Sequence, residues 1–166
     1  MNRNVPISIR DGCERDIPHL RDQMLMTQDL HRSAFPELFR IIERPEAEAF
    51  LRERLADTRG FLRVAVLDGG GIVGHTVSEI QERPASLFSH PQSVLYLAQI
   101  VVDAQYRKRG VGRRLIEDVF AIARTRAVSR VELNVWEVEG TARGFFSDQG
   151  FRDVGHRMAH TIVDPA

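Results

Sequence analysis

The stretch that decides the fold reads Val101-Val102-Asp103-Ala104-Gln105-Tyr106-Arg107-Lys108-Arg109-Gly110-Val111-Gly112-Arg113-Arg114-Leu115. It joins two strongly patterned segments. Upstream, Ser93–Val102 is an apolar run long enough for a buried central strand. Downstream, Gly110–Ala127 carries Val111, Leu115, Ile116, Val119, Phe120 and Ile122 at helical spacing. Amides in the intervening turn and the first helical turn have no intrahelical acceptors, and the helix dipole is positive there. A pyrophosphate suits such a place, because it offers several anionic acceptors at once. Gly110 and Gly112 let main chain approach it with no Cβ in the way. Arg107, Lys108, Arg109, Arg113 and Arg114 put five cations within eight residues.

That concentration is local. The chain has 166 residues with 23 Lys+Arg against 23 Asp+Glu, a formal net charge of zero. A surface built to grip nucleic acid or anionic lipid is far more basic, so neither partner is expected. Hydrophobic residues at 43% and charged residues at 28% match a folded globular domain and exclude collagen or disordered classes. Cys13 is the single cysteine, so no intramolecular disulfide and no cysteine-based zinc cluster can form. No segment approaches the roughly 18 apolar residues of a membrane span. The first dozen residues lack the apolar core of a signal peptide, so a cytoplasmic location is expected.

Working outward, Val5–Arg10 alternates like a strand. Asp16 and Pro18 mark the start of a helix with Ile17, Leu20, Met24 and Leu30 as its stripe. Residues 31–44 read as a loop or short helix with aromatics. Glu46–Thr58 reads as a second helix with Phe50, Leu51 and Leu55 inward. Phe61–Leu67 and Ile72–Gln81 flank Asp68-Gly69-Gly70-Gly71, which makes a hairpin. After the long helix, Arg130–Trp136 alternates as a strand and Thr141–Gln149 is a short helix. Residues 151–163 supply one or two last strands. This order argues α/β with a mixed, partly antiparallel sheet.

Arg107-Lys108-Arg109-Gly110-Val111-Gly112 resembles motif A of the GNAT superfamily of N-acetyltransferases, Gln/Arg-x-x-Gly-x-Gly/Ala. Ala142-Arg143-Gly144-Phe145-Phe146-Ser147-Asp148-Gln149-Gly150-Phe151 is similar to the family's Ala-x-x-Phe-Tyr-x-x-x-Gly-Phe segment, and the element order matches over nearly the whole chain. The resemblance implies a single GNAT domain over 1–166. Its sheet would be mixed and largely antiparallel, with about six to seven strands and about four flanking helices, splayed between the fourth and fifth strands. It implies acetyl-CoA as co-substrate and no metal. Pantetheine would pair with backbone at Ile100, Val101 and Val102. The pyrophosphate would sit on Arg107, Lys108, Arg109, Gly110, Val111, Gly112 and Arg113, with Glu139, Ala142, Phe145 and Phe146 alongside. The acceptor would be a primary amine of a small molecule or peptide, attacking directly in a ternary complex. Homodimers are common in the family, which implies one here.

The sequence departs from the family where chemistry is expected. Phe146 stands at the position of a frequent tyrosine acid, and Glu139 at that of an asparagine that bonds pantetheine. Positions on the two central strands where a carboxylate base often stands hold Tyr96, Gln99 and Asn134. Catalytic candidates are therefore Tyr96, Glu137 and Glu139, with His31 on the loop expected to face the acceptor. These departures motivate the alternative of a non-catalytic acyl-CoA sensor module. Gly69-Gly70-Gly71-Ile72-Val73-Gly74 matches the dinucleotide fingerprint, but its strand-forming residues and nearby Pro84 leave no room for the required helix. His156 and His160 lack a glutamate partner for a metal. Phe35 and Phe39 suit either core packing or the lining of an acceptor site with an apolar part.

Overall fold

Three successive antiparallel pairings build most of the sheet. The structure, a computed structural model, describes residues 6–136, 138 and 142–160. Strand β1 (Ile7–Asp11) pairs with β2 (Gly60–Leu67), β2 with β3 (Ile72–Arg83), and β3 with β4 (Gln92–Val102), all antiparallel. Strand β5 (Val131–Glu132) joins the far edge of β4 in parallel. Helices α1 (Ile17–Ala34) and α2 (Arg44–Ala56) cover one face, and α3 (Val111–Thr125) and α4 (Ala142–Asp148) cover the other.

Each face has its own apolar layer. Ile17, Leu20 and Leu51 pack on Leu62, Val64 and Val77. Opposite them, Ile116, Val119 and Phe146 pack on Leu95 and Leu97. Full burial of each such side chain stabilises by about 1.5–3 kcal/mol. The glycine run turns the β2–β3 hairpin: Leu67 N–H donates to Gly71 O at 3.0 Å, and Gly70 and Gly71 adopt φ of +87° and +110°. A nucleotide fingerprint there is ruled out by this geometry, because Ile72 onward is strand.

Asp16 serves a different purpose from the expected helix cap. Its carboxylate accepts from both Arg10 amino groups at 2.7 and 2.9 Å and from Cys13 N–H at 2.9 Å. The hydrogen bonds from Arg10 hold its pKa down to about 2 despite burial. The pair ties the end of β1 to the start of α1.

Several expectations need correction. Five strands, not six to seven, occur among the described residues. Of the expected final strands, residues 151–160 form none, and 161–163 lie outside the described residues. The expected strand Arg130–Trp136 is paired only at Val131–Glu132, because the chain leaves β4 immediately afterwards. Val131, Leu133 and Val135 still face the core as their alternation predicts. With so short a β5, residues 151–160 have little edge to pair with, and Val154 and Met158 are 79% and 92% exposed. Phe50 and Leu30 are also exposed, since the packed stripe of each helix runs through Leu51 and through Leu20 and Met24.

Candidate active site

β4 changes phase in its middle. Against β3, Val77 faces Gln99 but Ser78 faces Leu97, so Ala98 is an extra residue, a β-bulge. Before it, Leu95 N–H points outward to Arg130 O of the β5 side at 2.9 Å. After it, Asp103 N–H points inward to Val73 O at 3.0 Å. Strand alternation then aims the amides of Ile100 and Val102 outward, away from β3. β5 pairs only with Leu95 and Tyr96, so β4 and β5 are splayed and, among the described residues, this outer edge has no strand partner. On the other side, β3 presses close: a Cβ at Gly74 would stand 2.5 Å from Val101 O.

The open edge runs directly into the basic turn. Gly110, in the left-handed region with φ of +84°, precedes α3, and Lys108 also has positive φ at 57°. The first helical donor with a backbone partner is Arg114, onto Gly110 O at 3.1 Å. Among the described residues the amides from Lys108 to Arg113 find no backbone acceptor. This is the set of free donors that the glycine pair and strand ending led the sequence reading to expect. Not all five cations face it. Arg107 Nε donates to Val102 O at 3.1 Å, Arg109 stacks over Tyr106, and Arg113 pairs with Glu117 at 2.9 Å. Arg114 instead donates to Ile7 O of β1. Gly112 lies under Phe145: a Cβ there would be 3.1 Å from that ring and 3.8 Å from Val102. Ala142 is exposed at the start of α4, whereas Phe146 is buried between Phe145 and Phe151 at centroid distances of 5.2 and 5.6 Å. Phe146 is thus a core residue on the α3 face.

The α1–α2 face of the bulge holds the other candidates. Tyr96 is half-buried opposite Glu79, and burial, then the Glu79 charge, raises its pKa. Its phenol keeps its proton at neutral pH. His31 does not stand beside it on any contact the structure gives. It packs at 5.0 Å on Phe39 in an aromatic group with Phe35 and Trp136, and burial lowers its pKa. That group closes the α1–α2 loop onto the exit of β5. Glu137 and Glu139 lie outside the described residues.

Two features escaped the sequence reading. A cavity of about 230 Å³ beside the bulge is lined by Phe50, Arg54, Val77, Ser78, Glu79 and Ala98. Arg54 donates to Glu79 at 2.5 Å on its rim. Helical periodicity assigned Phe50 to the core, and only the three-dimensional path of β4 shows that it walls a cavity. The second is a buried polar chain. His75 is fully buried, with Nδ1 2.6 Å from Gln23 Oε1 and Nε2 3.2 Å from Gln99 Oε1. Gln23 Nε2 donates to Asp103 Oδ1 at 2.5 Å. Burial pushes the His75 pKa down to about 4, against smaller opposing effects of Gln99 and Asp103. Its only sequence signal was a histidine amid an apolar strand.

A bulged, open-edged strand feeding a glycine-bounded basic turn, between two helical layers, defines a class of acyl-transfer fold. The chain belongs to the acetyltransferase (GNAT) family, whose profile matches residues 24–151. It is 30% identical over 105 residues to the L-amino acid N-acetyltransferase AaaT of Escherichia coli, an alignment covering 63% of this chain and 61% of that protein. The BH1408 protein of Bacillus halodurans, crystallised as a tetramutant, has the same fold, with a TM-score of 0.87 and 19% identity over 93% of this chain and 99% of that one. Aminoglycoside N-acetyltransferase AAC(6')-Iy, solved in complex with CoA, superposes with a TM-score of 0.72 and 17% identity over 98% of both chains. Among the described residues no helix is long and apolar enough to cross a membrane.

Proposed function

We propose that this protein is an N-acetyltransferase that moves the acetyl group of acetyl-CoA to a primary amine of a small molecule or peptide, by direct attack in a ternary complex. One observation carries the reading. Among the described residues, the β4 edge at Ile100–Val102 has no strand partner and is continuous with a turn whose amides from Lys108 to Arg113 lack backbone acceptors. An extended, amide-bearing pantetheine suits the edge, and a diphosphate suits the turn. In this reading Val101 keeps β4 seated on β3, and Arg107, Lys108, Arg109 and Arg113 surround the diphosphate. Gly110, Val111 and Gly112 give main-chain access, while Ala142 and Phe145 flank the far wall. Phe146 supports that wall from within the core.

Acyl transfer needs a neutral amine, stabilisation of charge on the carbonyl oxygen and a proton for the departing thiolate. In this reading the outward amides of Ile100 and Val102 serve the oxygen. Tyr96, protonated at neutral pH, is the proposed proton donor. The cavity at Phe50, Arg54 and Glu79 and the aromatic group at His31 are the proposed acceptor walls. The sensor alternative keeps one point in its favour: Phe146 has no hydroxyl and is buried.

The test has two parts. A thermal-shift titration with acetyl-CoA at 100 times its dissociation constant should add about 2.7 kcal/mol of stability. Thiol release is then followed with L-amino acids, aminoglycosides and peptide amines as acceptors. Absence of any shift with acetyl-CoA refutes the cofactor site. A shift with no thiol release from any amine selects the sensor.

A further inference from the structure

The polar chain from Asp103 to Gln99 crosses the sheet-facing side of α1 and ends beside the bulge. We propose that Asp103, Gln23 and His75 act as positioning residues that hold the Gln99 carboxamide with its carbonyl oxygen turned toward the acceptor amine, as the group that receives an N–H of the attacking nitrogen. This deepens the acetyltransferase reading above and rests on it.

Each donor and acceptor along the chain fixes the orientation of the next. The Asp103 carboxylate is an acceptor only, so the Gln23 amide group must point to it, as its 2.5 Å contact shows. That leaves Gln23 Oε1 toward His75 Nδ1 at 2.6 Å, and Nδ1 must therefore carry a proton. A neutral imidazole has only one ring proton, so Nε2 presents a lone pair to Gln99. Full burial of the ring favours that neutral state. His19 on α1 also disfavours a second proton, while the Asp103 carboxylate favours one, but only from one amide group away, and Gln23 and Gln99 carry no charge. A lone pair at Nε2 requires a donor, so the Gln99 amide nitrogen takes the position 3.2 Å away and its oxygen faces outward. Among the described residues that outward atom has no hydrogen-bond partner. Gln99 follows the bulge directly, is only half-buried and lies next to the outward amide of Ile100. A fixed carbonyl oxygen there does part of what a strand carboxylate does: it orients an amine, without taking its proton.

The experiment uses the whole chain. Long-range 1H–15N NMR at pH 7 reads which nitrogen of the assigned His75 ring is protonated. The Nδ1–H tautomer is expected, and an Nε2–H or doubly protonated ring overturns the proposal. Gln99→Leu should lower kcat/KM tenfold or more for the best amine of the panel, with the acetyl-CoA thermal shift retained. Gln23→Leu, which touches neither substrate, should move the proton to Nε2 and produce a comparable fall. Undiminished kcat/KM in Gln99→Leu overturns this inference alone. A wild-type chain silent on every amine overturns it together with the enzyme reading.

Discussion

Acid tests the buried histidine directly. His75 is fully enclosed, and its folded pKa is about 4 against an ordinary value of 6.5. Below about pH 6.5 the unfolded chain gains a proton that the folded chain refuses until about pH 4. This group's stabilisation is therefore complete above pH 6.5 and is lost as pH falls through that window. At 1.36 kcal/mol per pH unit the loss amounts to about 3 kcal/mol, a large share of the 5–15 kcal/mol that holds a typical domain folded. The comparison protein is His75→Gln, which lacks the titration but keeps the five other histidines of the chain's six. Urea unfolding of both proteins at half-unit steps from pH 7 to pH 4 measures the difference. Wild type should lose about 3 kcal/mol more than the variant across the window. Parallel curves would mean that the folded ring accepts a second proton freely. The single-tautomer reasoning for Gln99 would then fail with it.

Other substitutions probe separate parts. Gly74→Ala puts a methyl 2.5 Å from Val101 O, so β3 and β4 must part. A destabilisation of about 1–3 kcal/mol is expected, read as a lowered denaturation midpoint. Gly112→Val forces the Phe145 ring away and crowds the turn. Acetyl-CoA affinity should drop more than tenfold, about 1.4 kcal/mol, by calorimetric titration, and unchanged affinity would place the diphosphate elsewhere. Asp16→Asn removes a carboxylate whose folded pKa is about 2 against 3.8. Its contribution is present above pH 3.8 and lost as pH falls through 2, so the variant should be about 2 kcal/mol less stable at pH 7. Phe146→Tyr brings a hydroxyl into the ring stack of Phe145 and Phe151 and, without a partner there, should cost about 1–3 kcal/mol.

The parts legible in the sequence are those set by local pattern. The apolar run into Val102, the Gly110–Gly112 pair and the stripe through Leu115 and Val119 each depend on near neighbours, and the structure keeps all three. The Gly69–Gly71 hairpin was equally plain. What escaped depends on where strands stop pairing. Alternation through Val131, Leu133 and Val135 shows which side chains turn inward, yet not that β5 leaves β4 after Glu132. Phe50 lies next to Leu51 on α2, and one position of rotation separates cavity wall from core. The bond from Gln23 to Asp103 spans 80 residues, beyond any periodicity.

The inserted alanine at position 98 has a consequence for how this strand can evolve. Without it Leu97 would lead straight into Gln99, while Ser78 would still face Leu97 and Val77 would still face Gln99. Side chains and amides from Gln99 to Val102 would therefore keep their present faces. What would go is the bend and added twist that a bulge gives its strand. A codon deletion here would leave the ladder intact and be felt in the curvature of β4, and so in the width of the opening beside β5. Shape at this point is set by the number of residues, independently of their identity.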